Sequence, residues 1–345
     1  MMRSMKQITH RINDYSNITY YYNKHFKTDR YEVYYNSEIG LQVLRGINGL
    51  EDPIVLDYPI LLDIGIMGHC KNKCAICYQG NETEKHMSLK NFKLIMDQIK
   101  YRVNEAVLGG RGDPNHHPQF KEIVEYAIKR DVVPTYTTSG FNLTDEQIEI
   151  SKMCGTVAVS DYGQDYTYTA IKRFQEANIK TSIHLVFTSA SYEKCILILH
   201  GHNPWKRKIN LDKINAVVFL LFKPVGNAKH LYSLQPKPYH ISVFSELILE
   251  RKGLTKIGID ACLVNHIKKI PKYMEPLLQT CNVAKESAYI SPSLIMTPCS
   301  FIHSKSPSYK ITRTKTIEKI WNTSNLFKSF RRKLKKQPNV CPIQF

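Results

Sequence analysis

The sequence predicts an α/β protein whose central part is a parallel sheet of about six strand–helix units. Three observations carry this. From residue 60 to about 255, short apolar runs alternate with stretches of helical periodicity. Ile214 to Phe222, INAVVFLLF, is apolar almost throughout, as expected of a strand covered on both faces. Past residue 255 the alternation stops, and four cysteines are spread over the remaining chain.

The elements follow in order. Residues 1–59 are rich in tyrosine and charge. Tyr31 to Tyr35 and Gly40 to Leu44 alternate apolar and polar, which predicts two short strands turning at Asn36-Ser37. Such a segment could cover the bottom of the sheet or meet a substrate. It has no room for the three helices of a winged-helix peptide-recognition domain. Ile60 to Met67 reads as a buried strand. Ser88 caps a helix with Leu89, Phe92, Ile95, Met96 and Ile99 on one face. Ala106 to Leu108 is a second strand, Phe120 to Lys129 a helix and Val132 to Thr138 a third strand. Thr144-Asp-Glu-Gln147 has the form of a capping box and starts another helix. Thr156 to Ser160, Thr181 to Phe187 and Ile214 to Phe222 complete the strands, with a helix over Tyr166 to Ala177 between the first two.

Directly after the Ile60–Met67 strand stands Met67-Gly-His-Cys-Lys-Asn-Lys-Cys-Ala-Ile-Cys-Tyr78. Cys70, Cys74 and Cys77 are close enough in sequence to fold onto one inorganic cluster. A lone structural zinc usually closes with a fourth Cys or His. An iron–sulfur cube takes one thiolate per iron, so three leave one iron open for chemistry. Two alternatives remain at this point: a zinc loop, or three cysteines near each other by chance.

The spacing C-x-x-x-C-x-x-C after a strand resembles the radical SAM superfamily. The family usually has an aromatic before the third cysteine; here that position is Ile76, and Tyr78 follows instead. The resemblance implies a partial (βα)6 barrel with its chemistry at the strand C-termini. It also implies a [4Fe-4S] cluster on Cys70, Cys74 and Cys77 that binds S-adenosylmethionine (SAM) and cleaves it to methionine and a 5′-deoxyadenosyl radical. Gly109-Gly-Arg-Gly-Asp-Pro-Asn-His-His-Pro118, after the second strand, then stands where the family carries a Gly-Gly-Glu-Pro-like stretch. Gly112 and Asp113 align with its second Gly and its Glu. The aspartate keeps the carboxylate and shortens the reach by one methylene, and Gly109 and Gly110 can shift the backbone to compensate. Gly110, Gly112, Asp113, Ser139 and Ser160 are the expected SAM contacts. Thr137, Thr138, Asp161, Tyr162, His184 and Lys223 are further strand-end or barrel candidates. His116 and His117 form a tempting metal pair, but adjacent side chains diverge.

The last third resembles the Twitch or SPASM extensions of the same superfamily: a Pro-Cys at Cys299, then Ile320-Trp-Asn-Thr-Ser-Asn-Leu-Phe-Lys-Ser-Phe-Arg331 as the helix before the last cysteine. The full form carries more cysteines and two clusters. Cys262, Cys281, Cys299 and Cys341 fit one auxiliary [4Fe-4S] cluster in a small α+β extension. Alternatively Cys341 is a free thiol and that cluster keeps an open iron. Ser293 is expected where the hairpin glycine usually stands. The domain organisation expected is 1–59, 60–255 and 256–345. Cys154 and Cys195 read as structural thiols, the alternative being a hydrogen-atom donor to a substrate radical.

Charge bounds the partners. The chain has 48 Lys and Arg against 30 Asp and Glu, net +18, densest in Lys328-Ser-Phe-Arg-Arg-Lys-Leu-Lys-Lys336. This is either a surface for an anionic partner or a solvated helix face. No apolar run is long enough for a membrane span, and the first residues lack an apolar signal segment, so a reducing, cytoplasmic setting is expected. The extensions of this type usually accompany peptide and protein modification, so a ribosomally made peptide or protein is the expected substrate, with an electron donor such as flavodoxin or ferredoxin. RNA or a nucleotide is the alternative substrate. A non-catalytic iron–sulfur or zinc protein is the alternative class.

Overall fold

The computed structural model describes residues 5–13, 16–51, 54–72, 74–99, 102–205, 209–250, 256–267, 280–302, 304–338 and 340–343. The chain opens with β1 (Lys6–Asn13) and β2 (Ser16–Tyr22), an antiparallel pair. Next come β3 (Lys24–Lys27), β4 (Tyr31–Asn36) and β5 (Leu41–Gly46), an antiparallel three-stranded sheet. The two strands expected between residues 31 and 44 are β4 and β5. Among the described residues no helix precedes Leu89.

A nine-stranded sheet follows. β6 (Leu61–Gly68), β7 (Glu105–Arg111), β8 (Val133–Thr138), β9 (Val157–Ser160), β10 (Thr181–Phe187) and β11 (Ala216–Leu221) lie side by side in chain order, all parallel. Between them run α1 (Leu89–Ile99), α2 (Phe120–Lys129), α3 (Asp145–Ser151), α4 (Asp165–Glu176) and α5 (Tyr192–Leu199). This is the expected partial barrel.

Local chemistry sets the helix starts. Ser88 Oγ accepts the Asn91 N–H at 3.2 Å, and Thr144 and Gln147 cap each other reciprocally. The helical apolar stripes are buried: Phe92, Ile95, Met96 and Ile99 on α1, and Ile123, Val124 and Ala127 on α2. Each large apolar side chain buried in this way contributes about 1.5–3 kcal/mol.

The structure differs from expectation at three places. β7 runs on to Arg111 rather than stopping at Leu108, because Gly109 and Gly110 stay paired with β6 across a register shift between Gly65 and Met67. The alternation also continues beyond β11. After α6 (Pro238–Glu250), β12 (Ile257–Ile259) adds a further parallel strand. It is too short to carry a periodic signal. Then α7 (Ala261–Val264) leads to β13 (Ser287–Ile290), which pairs parallel with β6 and antiparallel with β14 (Met296–Thr297). Finally, Leu294 takes the left-handed place in the hairpin turn (φ 67°), not Ser293. α8 (Ile317–Thr323) and α9 (Asn325–Lys336) complete the chain, broken at Ser324.

Hydrogen bonds hold these layers together. Lys24 Nζ donates to the Val103 and Asp131 carbonyls at 2.5 and 2.8 Å. Asn104 Nδ2 donates to Gln42 at 2.8 Å, and Lys180 donates to the Glu38 carbonyl. All four barrel partners precede strands, so the β3–β5 sheet covers the N-terminal end of the barrel, away from the strand C-termini. At the other join, the buried Trp321 donates from Nε1 to the Leu56 carbonyl at 2.8 Å, and Gln98 bonds both Thr312 and Ile317.

Candidate functional site

A cavity of about 480 Å³ opens at the C-terminal ends of β6 to β11. That is within the usual range for a small-molecule site. Cys70, Cys74 and Cys77 form one wall. Gly110, Gly112, Asp113, Ser139 and Ser160 all line the same cavity. So do Thr137, Thr138, Tyr162, His184 and Lys223.

The cysteine loop is short of regular structure, and long-range contacts hold it. The Cys77 N–H donates to the Cys74 carbonyl at 3.2 Å, turning the loop on itself. Asn227, from the loop after β11, donates its backbone N–H to the Cys77 carbonyl at 2.9 Å. Its side-chain Nδ2 donates to the Cys74 carbonyl at 3.0 Å. Gly226 makes this approach possible: a Cβ there would stand 2.4 Å from the Tyr78 oxygen and 2.5 Å from that of Cys77. On the other side Gly112 (φ 127°) packs on the loop, where a Cβ would come 2.8 Å from the His69 oxygen. Arg111 ties the segment after the loop, donating to Gln79, Glu84 and Glu82.

Electrostatics show that the three thiols are neighbours. Burial first, then the charges of Cys70 and Cys77, raise the Cys74 thiol; burial likewise raises Cys77. Thiols in this condition keep their protons until a metal replaces them. Among the described residues no three His, Cys, Asp or Glu side chains stand where they could hold a metal ion. A cube with one thiolate per iron does not ask for a shared single ion.

Asp113 is anchored rather than free. Its oxygens accept from Thr138 Oγ1 at 3.1 Å, Ser139 N at 3.0 Å and Ser139 Oγ at 2.6 Å. Asn72 Nδ2 donates to Ser139 Oγ at 3.1 Å, linking the cysteine loop to the end of β8. Tyr162 is hydrogen-bonded to Ser160, and burial raises its phenol above the ordinary value. It stands there because Asp161, before it, is fixed by Lys194 Nζ at 2.6 Å and Trp205 Nε1 at 2.8 Å. His184 does face the cavity; burial pushes its imidazole down to about 4, so it is neutral at pH 7. His116 and His117 do not make a pair. Their Nε2 atoms bond the Phe141 and Met87 carbonyls, at 2.8 and 2.9 Å.

The four C-terminal cysteines are not among the cavity residues, but they stand near enough to one another for their charges to be felt at Cys299. Cys299 feels the charges of Cys262, Cys281 and Cys341, though burial is the main cause that pushes it up to about 12. Burial also pushes Cys262 up to about 11 and raises Cys281 and Cys341. Ser300 and Phe301, next to Cys299, line the cavity itself. Cys195 is buried in α5 and Cys154 packs against the core; neither is among the cavity residues.

Sequence reasoning passed over three residues. Asp63, in the middle of β6, faces the cavity, and burial pushes its carboxyl up to about 7 against a hydrogen bond from Ser300. The signal was present: a lone carboxylate in an otherwise apolar strand. Asp260, after β12, lines the cavity and accepts from Lys223 Nζ at 3.2 Å. Asn227 gave no signal, since its partners lie some 150 residues away.

With this geometry in hand, comparison with known proteins places the chain. Residues 64–160, from β6 through Ser160, match the model of the Radical SAM superfamily. That match takes in the cysteine loop and the glycine turn after β7, the two stretches on which the sequence resemblance rests. Among solved structures it is similar to SuiB of Streptococcus suis bound to S-adenosylmethionine (TM-score 0.63, 18% identity, over 80% of this chain and 68% of that one). It is also similar to SuiB bound to the precursor peptide SuiA (TM-score 0.64, 17% identity, 80% and 67%). A third is native anSMEcpe with bound AdoMet and Cp18Cys peptide (TM-score 0.57, 13% identity, 78% and 82%). At these identities the likeness is one of fold. No curated protein sequence matches the chain.

Proposed function

We propose that this chain is a radical SAM enzyme acting on a ribosomally made peptide or protein. In this reading Cys70, Cys74 and Cys77 hold a [4Fe-4S] cluster, and SAM lies against Gly110, Gly112, Asp113, Ser139 and Ser160. Cys262, Cys281, Cys299 and Cys341 hold a second [4Fe-4S] cluster. Residues 60–255 then form the core and 256–345 the extension. The observation that carries the reading is that the three-cysteine loop and the strand ends from β7 to β11 face one cavity, whose wall also takes in Ser300 and Phe301 next to Cys299. When bound, the cluster and SAM would supply a 5′-deoxyadenosyl radical by one-electron cleavage.

The chain's own residues have definable tasks. Asp113 already accepts three hydrogen bonds, and a carboxylate has about four acceptor positions. One is left for the amino group of SAM. Ser160 offers a hydroxyl to its carboxylate or ribose, while Ser139, whose one hydroxyl proton goes to Asp113, steadies the Asp113 carboxylate beside SAM. Ile76, Val186, Leu220, Phe222 and Phe301 make the remaining wall apolar, which keeps water from a reactive radical. A low-potential donor such as flavodoxin or ferredoxin supplies the electron. The peptide-bound neighbours support a peptide substrate over a nucleic acid.

Anaerobic reconstitution tests the cluster assignment. The wild-type chain is expected to bind about eight irons and eight sulfides, and Cys70→Ala/Cys74→Ala/Cys77→Ala about four. Cys281→Ala is expected to keep the electronic spectrum of the first cluster. Zinc in place of iron in all three proteins would overturn the reading. Steeply salt-dependent binding of RNA, with no peptide bound, would move the substrate to nucleic acid.

A further inference from the structure

We infer that Lys223 is a fixed positive charge built to face the four C-terminal cysteines and to raise the reduction potential of the cluster they hold. This rests on the second cluster proposed above.

A lysine at this position is expensive. Its side chain is 7% exposed, and an ammonium taken from water must be repaid by partners. Those partners leave it aimed. Asp260 Oδ2 accepts from Nζ at 3.2 Å, and the Leu221 carbonyl accepts at 3.4 Å. The face of Phe301 lies 4.6 Å away, as a cation–π contact. Asp260 is itself held, since its Oδ1 accepts the N–H groups of Leu221 and Leu263, at 3.1 and 2.8 Å. It therefore cannot swing away and take the ammonium with it. The partners of Nζ adjoin the cysteines: Asp260 caps α7, in which Cys262 is the second residue, and Phe301 stands two residues past Cys299. The positive charge also reaches Cys281 and Cys341.

Three elements converge to make this arrangement. β11 delivers Lys223, β12 delivers Asp260, and α7, capped by Asp260, delivers Cys262. An N–H donor to a cluster sulfur, and a nearby cation, both favour the form carrying the extra electron. Lys223 also lines the cavity that holds the proposed radical site.

The test is a redox titration followed by electron paramagnetic resonance. It uses the full chain with Cys70→Ala/Cys74→Ala/Cys77→Ala, so that only the second cluster is read. Adding Lys223→Met is expected to move the midpoint to more negative potential, and Lys223→Arg, which keeps the charge, to restore most of it. If Lys223→Met loses its iron while Lys223→Arg keeps it, the requirement for charge at the thiols is shown by iron content instead. An unmoved midpoint at full iron content would overturn this inference and leave the second cluster standing. No iron in the parent triple variant would remove both.

Discussion

Asp63 is a carboxylic acid placed where its charge is costly. Burial in the cavity wall holds its affinity for protons far above that of an unfolded chain, to about 7. The sign follows directly. Between about pH 4 and 7 the native state binds the proton more tightly, so this residue's contribution to stability is full below pH 4 and is lost as pH rises through 7. The penalty at pH 8 is on the order of a few kcal/mol. Asp63→Asn is therefore expected to raise the urea midpoint more at pH 8 than at pH 5.5; equal gains at both would contradict the burial argument. Asn227 acts differently, by holding two carbonyls of the cysteine loop. Asn227→Ala is expected to keep global stability within about 1–2 kcal/mol. It should lose iron from the first site several times faster under a chelator; wild-type retention would count against the clamp. The Cys70–Cys77 loop stood out because its short-range spacing marks it, and it does line the cavity. Asp63 was legible in principle, as charge in an apolar strand. Asn227 was not, because only the folded chain brings it to residue 77.

Elements were legible in proportion to their length and periodicity. α2 and β10 fall where the sequence put them, since an amphipathic stripe or a β-rich run of such length admits few alternatives. β12, with three residues, did not stand out, and neither did the extension of β7 through its glycines. Glycine carries no pattern, and pairing with β6 decides its state. The loop after β11 shows what such details control. Gly226 has φ 60° and abuts the backbone of Cys77 and Tyr78. Gly226→Ala is expected to destabilise the chain by about 2 kcal/mol or more and to reduce iron at the first site. Unchanged iron content and an unchanged unfolding curve would show that the two loops do not press together as described.

At the scale of the molecule, the C-terminal residues are not an appendage. β12 extends one edge of the barrel sheet and β13 with β14 the other, so residues from 256 onward flank both sides. Removing them leaves β6 and β11 as open edges, with β6 apolar along most of its length. A chain ending at residue 255 is expected to aggregate rather than form a smaller soluble barrel. A monodisperse, cooperatively unfolding product would contradict this. Tyr78, after the cysteine loop, packs on Phe301, two residues past Cys299, a contact of the whole fold; neither it nor the Lys223–Asp260 bridge beside the cavity was visible in the sequence. The most direct test of the account is SAM cleavage by the full chain, reconstituted without oxygen and given a low-potential reductant, with products read by mass. The account predicts 5′-deoxyadenosine and methionine in equal amounts, abolished by Cys74→Ala. A fully iron-loaded protein that binds SAM and yields no 5′-deoxyadenosine would contradict it.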